Sequence, residues 1–216
     1  MFHLTKSYSV RLKHVELPGV SLVGINKSDI ITGFALIVAI LGTNYAMSGF
    51  PNVKLFDLLV FSAGYVLGFR KGVFVAASAW LLYGTFNPWG MADSLLLTVL
   101  MTSETIYAFL GFGFRQLISP QSLKVFKSRQ IVILVGLAIL GTLLYDLVTN
   151  IYTGIVWAHF SGGSYLTWVN VALFNPGALL FSLVHVSSNI ILFSMLGPLF
   201  IKGFMLLNII AKDRTQ

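Results

Sequence analysis

The strongest constraint on this chain is a run of 55 residues, Leu147 to Ile201, that contains no Asp, Glu, Lys or Arg. A helix of about 20 apolar residues spans the hydrocarbon core of a bilayer, so this run is long enough for more than one span. A soluble domain typically carries about 25% charged residues, whereas this chain has 10% charged and 56% hydrophobic residues. We therefore expect an all-α integral membrane protein embedded in a lipid bilayer. Soluble enzymes, nucleic-acid-binding proteins and disordered regulators are excluded.

Six transmembrane helices are predicted from the uncharged stretches and the residues that interrupt them. Ser28 or Asp29 is expected as the N-cap of the first helix. Gly162-Gly163 and Asn175-Pro176-Gly177 break the long uncharged run, so an outer loop is expected at 158–176. The second and third helices are short, and we expect them to be tilted, kinked or partly buried among the others. The predicted spans are 30–53, 55–69, 72–86, 92–114, a fifth from near Gln130 to beyond Asp146, and 177–210.

Basic residues are distributed unevenly among the predicted loops. In the six-span arrangement, thirteen of the fourteen Lys and Arg residues lie on one side of the membrane, and Lys54 alone lies on the other. Because Lys and Arg are enriched in cytoplasmic loops, we expect both termini in the cytoplasm. This placement also accounts for the net charge of +7. The chain divides into a cytosolic N-terminal extension, 1–28, and a six-helix transmembrane domain, 29–211.

Ionisable side chains inside the predicted spans are the first candidates for function. They are costly at membrane depth and usually face a protein interior or an aqueous cavity. Asp57, Glu104, Asp146 and His185 meet this description. Asp57 begins an inward-running helix and is expected near the outer face, and Glu104 is expected near mid-depth. Together with Asn44 at the end of the first helix, the polar groups collect in the outer half, which favours a ligand pocket open to the outside.

Two polar pairs are spaced by four residues and therefore share a helix face. They are Asp146 with Asn150 and His185 with Asn189. We expect the pairs to converge on one cavity and bind substrate. The alternative is structural, with Asp146 pairing with His185 to hold two helices together. No HExxH or similar spacing is present, so no metal site, cofactor or catalytic residue is predicted.

Polar and aromatic residues in the predicted outer loops add to the candidate pocket. Asn87 and Trp89 lie in the loop after the third span, and Trp168 lies in the loop at 158–176. Aromatic residues at this depth commonly form a belt at the membrane interface, and stacking on a planar ligand is the alternative.

Small residues repeat at intervals of four on the first two helices. Ala35 and Ala39 form an AxxxA pattern, and Gly64 and Gly68 form a GxxxG pattern. Small-xxx-small faces allow membrane helices to approach closely, and packing within the chain is the first explanation.

Three of these passages resemble the substrate-binding S components of energy-coupling factor (ECF) transporters. One is the stretch from Gly64 to Gly72, running on to Asn87-Pro88-Trp89-Gly90; another is Asp146 to Asn150, of the form D-x-x-T-N. The third is Ala35 with Ala39, which the resemblance assigns to docking on a transmembrane coupling subunit. The resemblance covers about residues 30–210. It implies six helices in a prokaryotic cell membrane and an outward-facing pocket for a vitamin or related micronutrient.

The resemblance also implies partners. The chain has no Walker P-loop, so ATP hydrolysis is expected from two separate ATPase subunits that act with the coupling subunit. Two other functions are considered: an intramembrane hydrolase or transferase using Glu104, Asp146 and His185, and a small stand-alone carrier. The candidate residues fit a planar, hydrogen-bonding, neutral or cationic substrate, and a large corrinoid is the alternative.

Overall fold

A computed structural model describes residues 26–213. Within this range the chain is all α-helical, with eight α-helices, one short 3₁₀ turn at Pro120–Ser122 and no strand. The predicted extension at 1–28 lies almost wholly outside the described residues. The helices are α1 (Lys27–Ala46), α2 (Phe56–Leu67), α3 (Phe69–Thr85), α4 (Ser94–Leu117), α5 (Ser128–Ser161), α6 (Tyr165–Phe174), α7 (Pro176–Met195) and α8 (Gly197–Asp213).

Four helices are long and apolar enough to cross a membrane. They are α1, α4, α5 and α7. The 34 residues of α5 extend over about 51 Å, which exceeds the roughly 30 Å of a hydrocarbon core. The predicted membrane class is therefore supported by these four helices.

The centre of the bundle is the short helix α2, which packs against α3 and α4. Ten of its 12 residues are buried, so protein covers it on nearly all sides, as predicted for a short helix among longer ones. Gly64 makes this packing possible because its backbone lies directly against Ala108 of α4 and Gly72 of α3. Gly111 of α4 lies equally close to the backbone of Phe61. The glycine of the predicted GxxxG pattern therefore serves packing within the chain.

The first helix differs from its predicted limits at both ends. It begins at Lys27, so Asn26 is its N-cap, and the prediction of Ser28 or Asp29 was wrong. Asp29 lies in the first turn instead and forms an ion pair with Lys71. The helix ends at Ala46 rather than at 53, because Gly49 and Pro51 are poor helix formers. Residues 47–55, which we name the α1–α2 connector, follow it.

The last predicted span is two helices. Pro198 has no N–H with which to donate to the carbonyl of Ser194, and the helix breaks between Met195 and Gly197. Helix α8 begins with Gly197 packed against Leu134 of α5. It reaches α1, where the Asn208 amide donates hydrogen bonds to Asp29 and Thr32. The prediction of one helix over 177–210 was wrong.

The predicted outer loop at 158–176 is largely helical. Helix α5 continues to Ser161 and ends at Gly162, whose φ of 68° terminates the helix in the left-handed region. Helix α6 then packs back on α5, because Gly154 lets the backbone of Val169 come close. Only 162–164 and Asn175 remain non-helical, so the prediction of an extended loop was wrong.

Candidate functional site

The α1–α2 connector carries Lys54 into the bundle. The Lys54 ammonium lies 4.8 Å from the ring centre of Tyr145, 5.3 Å from Trp80 and 5.8 Å from Phe56. Its Nζ is 3.5 Å from Oδ1 of Asp57. Burial by itself lowers the pKa of Lys54, but the charges of Asp57, Tyr145, Glu104 and Asp146 together outweigh it, and the pKa lies above its ordinary value. Lys54 is therefore a charged group in a largely aromatic setting.

His185 joins two carboxylates from two different helices. Its Nε2 lies 2.7 Å from Oδ2 of Asp57 on α2, and its Nδ1 lies 2.8 Å from Oδ1 of Asp146 on α5. All three residues are buried. Because each ring nitrogen faces a carboxylate, both nitrogens donate when the imidazole is protonated. His185 thereby ties α7 to both helices.

Asn189 extends these contacts one turn along α7. Its amide nitrogen lies 2.7 Å from Oδ2 of Asp57 and 2.9 Å from Oγ1 of Thr142. The hydroxyl of Tyr107 donates to the same Thr142 oxygen at 3.0 Å. We call the connected residues the buried polar cluster, consisting of Lys54, Asp57, Tyr107, Thr142, Asp146, His185 and Asn189.

Glu104 lies close to the buried polar cluster but is held separately. Its Oε2 accepts a hydrogen bond of 3.0 Å from the indole N–H of Trp80. Its Oε1 is buried and has no hydrogen-bond partner within 26–213. Trp80 thus connects Glu104 to Lys54, because the same indole ring lies under the lysine ammonium.

A pocket of about 140 Å³ lies between the end of α1, the α1–α2 connector and α3. Its polar side chains surround one unsatisfied acceptor, because Oδ1 of Asn44 is buried without a hydrogen-bond partner among the described residues. Trp89 is 78% exposed and stands at the rim. The residues that line the pocket include Asn44, Asn52, Lys54, Trp80, Tyr83 and Trp89.

The α1–α2 connector is fastened to α7 through Asn52. The Asn52 amide donates to the carbonyl of Phe181 at 3.0 Å, and the Ser188 hydroxyl donates to the carbonyl of Asn52 at 3.2 Å. Asn52 has a φ of 59°, a left-handed conformation that asparagine adopts more readily than most residues. The connector thereby holds Lys54 at the pocket.

The structure brings most of the predicted site residues into two adjoining groups. Asp146, His185 and Asn189 belong to the buried polar cluster, and Asn44 and Trp89 line the pocket. Glu104 reaches the pocket through Trp80. The structural alternative for Asp146, a pair with His185, is confirmed. Whether these residues contact a ligand stays a prediction.

Three predicted site residues lie elsewhere. Asn87 accepts a hydrogen bond of 2.8 Å from the backbone N–H of Trp89, which stabilises the turn after α3. Trp168 lies on α6, with its ring centre 6.2 Å from that of Trp157 on α5. Asn150 is half-buried and makes no hydrogen bond with the buried polar cluster. Whether Asn150 converges with the other three residues on a ligand stays a prediction.

Lys54 and Asp57 were not among the predicted binding residues, and their burial is the main surprise of the site. Asp57 is fully buried, whereas its position at a helix start indicated the outer face. The sequence feature that could have indicated this contact is the spacing of Lys54 and Asp57. Lys54 is the one basic residue on its predicted side, and a carboxylate three residues later is within reach of it.

Fold and site together are those of an all-α protein that has four helices long and apolar enough to cross a membrane and a buried charged cluster beside an open pocket. Within 26–213, no group of three or more His, Asp or Glu side chains is arranged to hold a metal ion. No family model, curated protein or solved structure matches this chain.

Proposed function

We propose that this protein is the substrate-binding S component of an ECF-type transporter, a membrane subunit that captures a vitamin or related micronutrient from outside. The observation that carries the proposal is the pocket at the end of α1, which Asn44 and Lys54 line together with four aromatic residues. Buried polar atoms without partners are costly, so Oδ1 of Asn44 is best explained by a ligand that donates to it.

Six spans with both termini in the cytoplasm belong to the same proposal. Helices α2 and α3 have 12 and 17 residues, or about 18 and 26 Å, which is short for a lipid-exposed span. The burial of α2 supports its membrane position, because its neighbours replace lipid around it. Arg70 and Lys71 at the start of α3, and Arg115 at the end of α4, support a shared cytoplasmic side.

Cysteine labelling tests this orientation on a chain that has no native cysteine. Ser122→Cys and Ser128→Cys are expected to react with a membrane-impermeant maleimide only after the cells are permeabilised. Ser164→Cys is expected to react on intact cells. All three positions are exposed, so the side of the membrane on which each cysteine lies decides whether the maleimide reaches it. Reaction of Ser164→Cys only after permeabilisation would overturn the orientation and the outward-facing pocket.

The dimensions of the pocket favour a small ligand. A volume of about 140 Å³ is below the roughly 300–1,000 Å³ of drug-sized sites. A corrinoid is therefore a poor fit, and helix α6 replaces most of the long loop on which that alternative depended. In the proposed mechanism the α1–α2 connector and its neighbours close over the ligand, and ATP hydrolysis by the partners drives its delivery to the cytoplasm.

An intramembrane enzyme receives less support from the same geometry. His185 has a carboxylate on each ring nitrogen, 2.7 and 2.8 Å away, so neither nitrogen is free to accept a proton from a substrate or nucleophile. Asp146 is hydrogen-bonded to the same histidine, and Glu104 accepts a hydrogen bond from the indole N–H of Trp80.

The function is tested by identifying a bound molecule and measuring its uptake. Purified protein is expected to release a stoichiometric small molecule on denaturation, identified by mass spectrometry. Cells are expected to accumulate that molecule only when the coupling subunit and two ATPases are present with this chain. Transport into liposomes by the chain alone would instead indicate a stand-alone carrier, and turnover of the molecule would indicate an enzyme.

Leucine substitutions at Ala35 and Ala39 test the partner-docking role. Both alanines are half-buried, beside the exposed side chains of Phe34 and Val38 on α1. The added bulk is expected to leave ligand affinity nearly unchanged but to abolish partner-dependent uptake. Ala46→Leu, exposed at the other end of α1, is the matched control and should transport normally. Normal uptake by both Ala35→Leu and Ala39→Leu would remove the docking role.

A further inference from the structure

We propose that the pocket selects a small monocyclic carboxylic acid and that Lys54 recognises its carboxylate. This inference rests on the proposed function only in treating the pocket as the ligand site. It differs from the neutral or cationic substrate expected from the sequence. The reason is that Lys54 lines the pocket and is the one basic residue in the lining among residues 26–213.

The hydrogen-bonding capacity of Lys54 is not used by the residues that the structure describes. The nearest carboxylate oxygen, Oδ1 of Asp57, is 3.5 Å from Nζ, which is longer than the 2.7–3.2 Å of an ordinary N–H···O bond. The ammonium makes no hydrogen bond to the described residues, and three aromatic rings surround it. Since an ammonium has three N–H donors, an acceptor from a ligand has donors available to it.

One oxygen of Asp57 is shared between two donors, whereas its Oδ1 makes no hydrogen bond to the described residues. Oδ2 of Asp57 lies 2.7 Å from Nε2 of His185 and accepts a hydrogen bond of 2.7 Å from the Asn189 amide. This oxygen is therefore occupied, and the single negative charge of Asp57 faces both His185 and Lys54. A ligand carboxylate supplies a second anionic partner for Lys54, and charge-assisted hydrogen bonds of this kind are about twice as strong as neutral ones.

Asn44 supplies the second, independent observation. The residue is 4% exposed, lines the pocket, and its Oδ1 has no partner. A ligand that also carries an N–H or O–H donor satisfies this oxygen. The pocket therefore offers donors at Lys54 and an acceptor at Asn44, a combination that matches a carboxylic acid with an amino, hydroxyl or ring N–H group.

The remaining lining limits the size and shape of the acid. Trp80, Tyr83 and Trp89 present aromatic surface to the pocket, which favours a flat ring. The volume of about 140 Å³ is small beside the roughly 300–1,000 Å³ of drug-sized sites, which favours a ligand with a single substituted ring.

Benzoate and benzamide are the matched probes, because they share a ring and differ in the charge of one substituent. We expect benzoate to quench the intrinsic tryptophan fluorescence of the protein in phosphatidylcholine nanodiscs, and to bind at least ten-fold more tightly than benzamide. Lys54→Met should weaken benzoate binding by roughly ten- to 150-fold and leave benzamide binding nearly unchanged. Lys54→Arg should retain the preference for benzoate.

Two further variants control for the unpaired charge of Asp57 and for the loss of any one lysine. Lys54→Met leaves Asp57 without its cation, so Lys54→Met/Asp57→Asn removes both charges and should show the same loss of preference. Lys71→Met removes a lysine that pairs with Asp29, away from the pocket, and should bind benzoate as the unaltered protein does.

Equal binding of the two probes, or no binding of either, by the unaltered protein would overturn the proposal. Retention of the benzoate preference in both Lys54→Met variants would overturn it as well. These outcomes are separate from failure of the transport function. Partner-dependent uptake of a neutral or cationic compound would leave the S-component function standing while removing carboxylate selectivity.

Discussion

Replacing Gly64 with alanine is expected to destabilise the protein strongly. A Cβ at this position would lie 2.0 Å from the carbonyl oxygen of Ala108 and 2.9 Å from its Cα. Both are backbone atoms of α4, so no side chain can rotate to make room, and the two helices must separate. We expect a loss of at least about 3 kcal/mol, a large part of the 5–15 kcal/mol by which domains are typically stable. The measurement is the yield of monodisperse protein in detergent and its melting temperature.

Gly113→Ala on α4 is the matched control. A Cβ at Gly113 meets no atom within 4 Å, and alanine favours the helix over glycine by up to about 1 kcal/mol. This variant should melt at or above the temperature of the unaltered protein. Gly111→Ala should behave like Gly64→Ala, since its Cβ would lie 2.0 Å from the carbonyl oxygen of Phe61. If Gly64→Ala and Gly113→Ala are equally stable, the close crossing of α2 and α4 is wrong.

The second large effect is expected from Asp57→Ala. This substitution removes the acceptor of His185 and Asn189 and the anionic neighbour of Lys54. Breaking a buried pair on one side leaves an uncompensated buried charge, at a cost of about 3–5 kcal/mol. We expect a large fall in melting temperature even without ligand. Asp146→Asn should cost less, because an amide oxygen can still accept from His185.

Two variants separate the structural and ligand-binding roles of these residues. Asp93→Ala removes an exposed N-cap that accepts from the N–H groups of Leu95 and Leu96, so it should cost only about 1 kcal/mol. Asn150→Ala should change neither stability nor ligand affinity, because Asn150 is outside the buried polar cluster. A melting temperature for Asp57→Ala equal to that of Asp93→Ala would show that the cluster does not hold the helices together.

The sequence alone was sufficient for the class and for most helix positions. Long uncharged stretches predicted helices that the structure places at α1, α4, α5 and α7, because a bilayer requires length and low polarity from any spanning segment. Asn-Pro and Gly-Gly sequences located the breaks after α3, α5 and α6, although the helix-breaking effect of Pro198 inside the last predicted span was overlooked. The glycine pattern around Gly64 correctly indicated close packing within the chain.

The composition of the site was decided by the tertiary structure. In a soluble helix, alternation of polar and apolar residues shows which face is buried, but in these helices the lipid-facing and inward-facing sides are both apolar. The sequence therefore could not show that Asp57 faces His185. The inward position of Lys54 depends on the path of the α1–α2 connector, which is held by Asn52 through contacts with α7 more than 120 residues away. Such contacts between distant segments leave no local pattern, because each partner satisfies its hydrogen bonds only after the helices have packed.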